Sequence, residues 1–174
     1  LDTLLLIPSG EPWQKGNEIT SAEVRFQLTE AAGIDLARAC LYLQIPTQIG
    51  IDRIEIDRAG PSYAIDTVKA LRERFGPKAS LIWLMGADSF MQLPTWNSWQ
   101  DLFQYINLAV ASRPHFDLAA EMTPEIKELL NNRQVQDLAA LNNQPAGFIY
   151  IDQSLSVDLS STKRSEEHTS ELQS

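Results

Sequence analysis

Short apolar runs alternate with longer amphipathic stretches along this chain. Thr3–Ile7 is a nearly continuous apolar run closed by Pro8, the pattern of a strand covered on both faces. The Pro-, Gly- and polar-rich residues from Ser9 to Thr20 predict a loop. Ser21, with Glu23 close behind, predicts a capped helix running to about Ala32, and Leu36–Leu43 a second helical stretch. Ile49–Ile56 alternates as a half-exposed strand does. Arg58–Ser62 reads as a turn. Tyr63–Phe75 reads as a helix with Ile65, Val68, Leu71 and Phe75 on one face, stopped by Gly76-Pro77. Leu81–Met85, Ile106–Ala111 and Phe148–Ile151 predict further strands. Ser98–Tyr105 and a long polar stretch from Pro124 to about Leu141 predict helices, and Ser160–Thr162 the start of another. This alternation predicts an α/β fold with a parallel sheet. With no internal repeat and no linker, one domain is expected over residues 1–163.

Composition changes the picture little. The chain has 174 residues, 44% hydrophobic and 21% charged, enough for a real core. Its net charge is −9 and no Lys/Arg cluster is present, which argues against nucleic acid as a partner. Acidity does not exclude a phosphorylated small ligand, because a few local cations and helix N-termini can hold one. Cys40 is the only cysteine, so no internal disulfide can form and no cysteine zinc site is expected; a cytoplasmic setting fits. No apolar run is long enough for a membrane helix, so no membrane partner is expected. Nothing in the sequence sets an oligomeric state.

Both ends read as irregular. The chain enters a strand-like run directly at Leu1, as a fragment would. Its last eleven residues, Arg164–Ser174 (RSEEHTSELQS), look like a translated sequencing adapter and not a native terminus, although many proteins end in a polar frayed tail. Removing them takes away one Arg, three Glu and His168, and leaves the chain acidic.

In open α/β sheets, ligands bind beyond the C-terminal ends of the strands. Those ends carry Pro8-Ser9-Gly10 with Lys15, then Gly86-Ala87-Asp88, then Ser112-Arg113-Pro114, and finally Leu159-Ser160-Ser161-Thr162. Together they offer two cations, hydroxyls and helix N-terminal amides for phosphates, and a carboxylate for a ribose hydroxyl. Neither a Gly-rich dinucleotide fingerprint nor a Walker A motif is present. The residues therefore suggest a nucleotide site of another type, in an enzyme or in a non-catalytic binding module. No metal-ligating set of side chains is read.

Five segments sharpen this: LLLIPSGEPWQK, DRAGPSYAIDTVKALR, WLMGADSFMQLPTWNSW, LAVASRP and VDLSST, in this order. In combination, GPSYxxxTxxxL, GxDxxxxLxxW and the terminal SST resemble the successive motifs of bacterial nicotinate mononucleotide adenylyltransferases. The resemblance runs from Leu1 to about Lys163. It implies a Rossmann-like nucleotidyltransferase fold with a parallel sheet, whose first strand is missing from this chain. It implies adenylyl transfer from ATP, with Mg2+, to nicotinate mononucleotide, a step of NAD biosynthesis. Sister enzymes using nicotinamide mononucleotide or phosphopantetheine are the nearest alternatives.

By the same resemblance, Trp96 stacks on the pyridine ring, and backbone amides near Asn97 and Ala64 grip the nicotinate carboxylate. Many members have Thr where Ala64 stands; a backbone contact survives that change and a hydroxyl contact does not. Tyr63 and Thr67 are candidates for the pocket wall or for plain helix packing. Lys15, Arg113, Ser160, Ser161 and Thr162 take the place of phosphate-binding groups, and Gly86 and Asp88 that of the nucleotide-binding turn, with Asp88 alternatively a helix N-cap. The family's HxGH-type motif, which stabilises the transferring phosphate, has no counterpart in the chain, so no catalytic residue is assigned. The arginine closing the family's SSTxxR is also absent, Ser165 standing there. His115 reads as a solvated loop residue, and Cys40 as core.

Overall fold

The structure, a computed structural model, describes residues 1–11, 21–112 and 118–153. They fall into two compact units, one of residues 1–79 with 96–105, the other of residues 80–95 with those from 106 on.

In the first unit the apolar run becomes strand β1 (Thr3–Leu6), followed by helix α1 (Ala22–Tyr42), strand β2 (Gln48–Ile51) and helix α2 (Ala64–Phe75). β1 and β2 pair in parallel, from Thr3 beside Gln48 to Leu6 beside Ile51. Such a pair needs a long crossover, which α1 supplies. α1 begins where expected: the Ser21 hydroxyl accepts the Val24 N–H at 3.3 Å. It does not break into two stretches. Gly33, where the break was expected, is buried inside the helix, and a Cβ there would lie 2.9 Å from Ile51 Cδ1. The missing side chain brings the helix close to β2 and so serves packing. Cys40 on this helix is half-buried rather than core.

β2 is shorter than the alternation predicts. Asp52 Oδ1 accepts the Ile54 N–H at 2.9 Å and the Asp57 N–H reaches Arg53 O at 2.8 Å, turning the chain before a longer strand can form. α2 buries Ile65, Val68 and Leu71 as expected, while Phe75 is exposed. Gly76, at φ 82°, closes the helix in a conformation costly for other residues. From the last turn, Arg72 donates to Gly76 O at 2.9 Å, Ala79 O at 2.6 Å and Tyr105 O at 3.1 Å. Trp99–Gln104 forms a 3-10 helix, not the expected α-helix, and packs against α2.

The second unit contains β3 (Ile82–Gly86), α3 (Ala87–Met91), a 3-10 turn at Leu93–Thr95, β4 (Asn107–Ala111), α4 (Leu118–Glu121), α5 (Pro124–Arg133), β5 (Gln134–Val135), α6 (Ala139–Asn143) and β6 (Ile149–Asp152). The strand order is β3-β4-β6-β5, parallel throughout. Leu108, Val110 and Ile149 from the sheet are buried, as are Phe90, Leu93, Ile126 and Leu141 from the surrounding helices and turns. The parallel sheets bear out the α/β expectation.

The long helix expected from Pro124 to Leu141 is in fact two helices with a strand between. Pro124 opens α5 with Thr123 accepting the Ile126 N–H at 3.4 Å. The helix ends at Arg133 because Gln134 and Val135 pair with Ile149 and Tyr150. Asn107, fully buried, fastens this unit at the start of β4. Its amide donates to Gln144 O at 2.8 Å and Leu141 O at 3.2 Å, and its Oδ1 accepts the Phe148 N–H at 2.9 Å.

Candidate functional site

The expected residues fall into three groups. Tyr63, Ala64, Thr67, Trp96 and Asn97 belong to the first unit, Gly86 and Asp88 to the second. Lys15, Arg113, Ser160, Ser161 and Thr162 lie outside the described residues, as do His115 and the tail Arg164–Ser174.

The first group falls on two segments of that unit, the start of α2 and the residues just before the 3-10 helix. Tyr63 is the N-cap, in extended conformation (φ −91°, ψ 133°), and its own side chain makes no capping hydrogen bond. Ala64 is its first residue. A helix start carries N–H groups without intrahelical partners and a partial positive charge, so this end suits an anion. Trp96 and Asn97 lead into the 3-10 helix that packs on α2. Trp96 is half-buried and Asn97 exposed, and the bend after them is set by Ser98, a non-glycine residue at φ 49°.

Of the two readings of Thr67, burial favours helix packing. Thr67 has no exposed surface, so it cannot line a pocket directly. Its hydroxyl donates to Glu55 Oε1 at 2.8 Å and accepts from Arg58 Nη1 at 3.1 Å. It therefore acts from behind the helix start.

That contact leads to residues not singled out in the sequence. Glu55 is buried at 7% exposure. Burial pushes its carboxyl up from the usual range, while hydrogen bonds from Thr67, Ser62 and Gly10 and the charge of Arg58 pull it down; burial prevails. Ser62 Oγ accepts the N–H groups of Gly10 and Glu11, both at 3.1 Å. On the other side, Arg25 of α1 donates to Ser9 O at 2.7 and 3.0 Å and also to Gly10 O. The turn after β1 is thus held from two directions, and it opens the segment leading to Lys15. A signal for Glu55 is present in the sequence. The apolar phase slips from Ile49 and Ile51 to Ile54 and Ile56, so the strand must end between them.

In the second unit, β3 ends at Gly86, the N-cap of α3, with Asp88 exposed in the first turn. Asp88 is therefore not the N-cap that was its alternative reading. Its carboxylate stands at the C-terminal end of a parallel strand, where ligands of such sheets bind.

Comparison with known proteins decides the family. The cytidylyltransferase-like family model matches residues 1–166. The chain is 34% identical to the probable nicotinate-nucleotide adenylyltransferase of Herminiimonas arsenicoxydans, over 98% of this chain and 77% of that protein. It is 35% identical to the probable nicotinate-nucleotide adenylyltransferase of Chromobacterium violaceum over 94% of this chain and 71% of that one. The protein of the same description from Marinomonas sp. (strain MWYL1) is 34% identical, over 91% of this chain and 66% of its own length. The chain belongs to the nicotinate-nucleotide adenylyltransferase family.

It is thus a nucleotidyltransferase of the cytidylyltransferase-like kind, and the match extends across both units. Among the described residues, no helix is long and apolar enough to cross a membrane.

Proposed function

We propose that the protein transfers the adenylyl group of ATP to nicotinate mononucleotide, giving nicotinate adenine dinucleotide and pyrophosphate. The observation supporting this is the presence, within one compact unit, of the helix start at Tyr63-Ala64 and of Trp96-Asn97. An indole face suits a flat, electron-poor ring. Amides near Ala64 and Asn97 suit the ring's carboxylate, because bonds to a charged acceptor are the stronger kind. Tyr63 forms wall, and Thr67 supports the helix from behind.

In the reaction, a phosphate oxygen of the mononucleotide attacks the α-phosphorus of ATP. The bond to the β-phosphate breaks, and pyrophosphate leaves with the electron pair. The protein's part is positioning and charge neutralisation. Lys15, Arg113 and the hydroxyls and amides of Ser160, Ser161 and Thr162 are assigned to phosphates, and Gly86 and Asp88 to the nucleotide. ATP is assigned as its Mg2+ complex. Such an ion would be held mainly by phosphates and water, with Asp88 able to add one oxygen. The ion supplies positive charge to the phosphates when bound. A cytoplasmic setting goes with such a substrate pair. The two histidines, His115 and His168, do not form an HxGH motif, so the 174 residues alone are expected to bind substrate with negligible turnover.

The test uses a chain carrying the histidine motif, with the two mononucleotides in competition. An amide in place of the carboxylate sets its own donors against the same N–H groups, and each buried unpaired group costs about 1–3 kcal/mol. Nicotinate mononucleotide is expected to be preferred at least about tenfold, roughly 1.4 kcal/mol. Trp96→Ala should weaken both substrates and leave their ratio nearly unchanged. Equal efficiency, or a ratio that collapses without Trp96, contradicts the reading.

A further inference from the structure

Helix α1 has two opposed faces, and only one of them is covered. Phe26, Thr29, Gly33, Leu36 and Cys40 are half-buried or buried, with Gly33 against Ile51 of β2. The helical repeat puts Val24, Leu28, Ala31, Asp35, Arg38 and Tyr42 on the opposite side. All six are exposed, Leu28 at 63% and Tyr42 at 88%. Ile45, just past the helix end, continues the same spacing and is also exposed. A solvated helix face is ordinarily polar. This one is mostly apolar, and its positions recur alternately four and three apart, as they do where two helices pack along a stripe. The only charges on the stripe, Asp35 and Arg38, stand at its middle. They pair with each other at 3.4 Å, the Asp35 side chain 78% and the Arg38 side chain 76% exposed. An ion pair that open contributes little to the fold of one chain.

We propose that this face of α1 pairs with α1 of a second copy of the chain, the two helices antiparallel about a twofold axis passing between Asp35 and Arg38. Such an axis sets each residue opposite the one equally far along on the other side. Asp35 then meets the partner's Arg38, and Arg38 meets the partner's Asp35. Ala31 meets the partner's Tyr42, small against large, and Leu28 meets the partner's Ile45. A parallel pair would instead set Asp35 against its own copy and Arg38 against its own, which like charges oppose. The stripe is therefore complementary to itself in one sense only, the condition for an isologous contact. Its extent fits as well. With Ile34 and Leu41 flanking it, the exposed apolar surface is on the order of 400–500 Å², close to the apolar share of a standard interface of roughly 800 Å² per partner. A lipid surface fits less well, because helices that lie on membranes carry a basic polar face, and α1 sets Glu23, Glu30 and Asp35 against Arg25 and Arg38.

Sedimentation velocity on the full chain tests this, with circular dichroism of each variant to confirm that the helix is kept. The wild type should show a monomer–dimer equilibrium at micromolar concentrations. Arg38→Asp sets carboxylates against carboxylates across the axis and should raise the dissociation constant at least about tenfold. Combining it with Asp35→Arg recreates both ion pairs in reverse and should return the constant to within about threefold of wild type. Disulfide trapping reads the direction of the helices. In a Cys40→Ala background, Ala31→Cys and Tyr42→Cys together should give a covalent dimer on mild oxidation. Either one alone should not, because each position lies about 16 Å from its own copy along the paired helices. A chain that stays monomeric, with or without binding to vesicles of anionic lipid, overturns the proposal. So does a dimer that Arg38→Asp leaves unchanged, or one trapped by a single cysteine.

Discussion

One absent methyl group governs the turn after β1. Because any side chain at residue 10 must push against the backbone carbonyl of Glu55, no rotamer change relieves it. Gly10→Ala is expected to cost on the order of 2–3 kcal/mol, the upper range for overpacking, measurable as a lower urea midpoint at unchanged slope; full wild-type stability would mean the packing there is looser than described. Glu55 adds a pH dependence. Its folded pKa is raised above the ordinary 4.5, chiefly by burial, with Arg58 the facing charge that opposes it. A raised carboxyl favours folding below the unfolded value, and that contribution is lost as pH rises through the folded value. The stability of wild type relative to Glu55→Gln should therefore fall as pH rises from about 4. A difference that stays flat across the range would refute it. At this scale the sequence was half legible. Tyr63, Ala64, Trp96 and Asn97 are marked by motif alone, and Thr67 fits two readings that only its burial separates. Glu55 hid inside a run read as a longer strand, because alternation registers burial and not the chemistry of what is buried.

Elements were legible where local signals act alone. Ser21 before α1 and Thr123-Pro124 before α5 mark starts that the structure keeps, and Gly76 marks an end. Ser21→Ala should cost about 1 kcal/mol by removing the cap, readable in chemical denaturation. The misses came where a distant segment overrides local preference. The polar stretch after Pro124 has nothing in it to announce a strand. Only pairing with Ile149 and Tyr150, together with Arg133 donating to Gly147 O at 3.1 Å, interrupts the helix there. Arg72 shows the same dependence within the first unit. It satisfies carbonyls at Gly76, Ala79 and Tyr105 that no periodicity reveals. Arg72→Met keeps the stem and removes the donors, and should cost on the order of 3 kcal/mol, since bonds to charged groups are worth about 1.5–3 kcal/mol each; a loss below 0.5 kcal/mol (about the size of an ordinary surface change) would show that water replaces the guanidinium.

For the molecule as a whole, alternation predicted parallel α/β architecture, and the order β3-β4-β6-β5 was beyond it. Strand order depends on which distant partners pair, and a run such as Leu108–Ala111 carries no mark of its neighbours. Asn107 supplies such a mark after the fact, since it reaches partners 34, 37 and 41 residues away. Its bonds therefore close long loops, which form late and open together. One consequence is spectroscopic. The amide proton of Phe148, held by Asn107 Oδ1, is shielded by an assembly and not by a local turn, so it should exchange with deuterium only when the second unit opens as a whole. It offers a built-in gauge of that unit's opening free energy, readable residue by residue while the rest of the chain stays native.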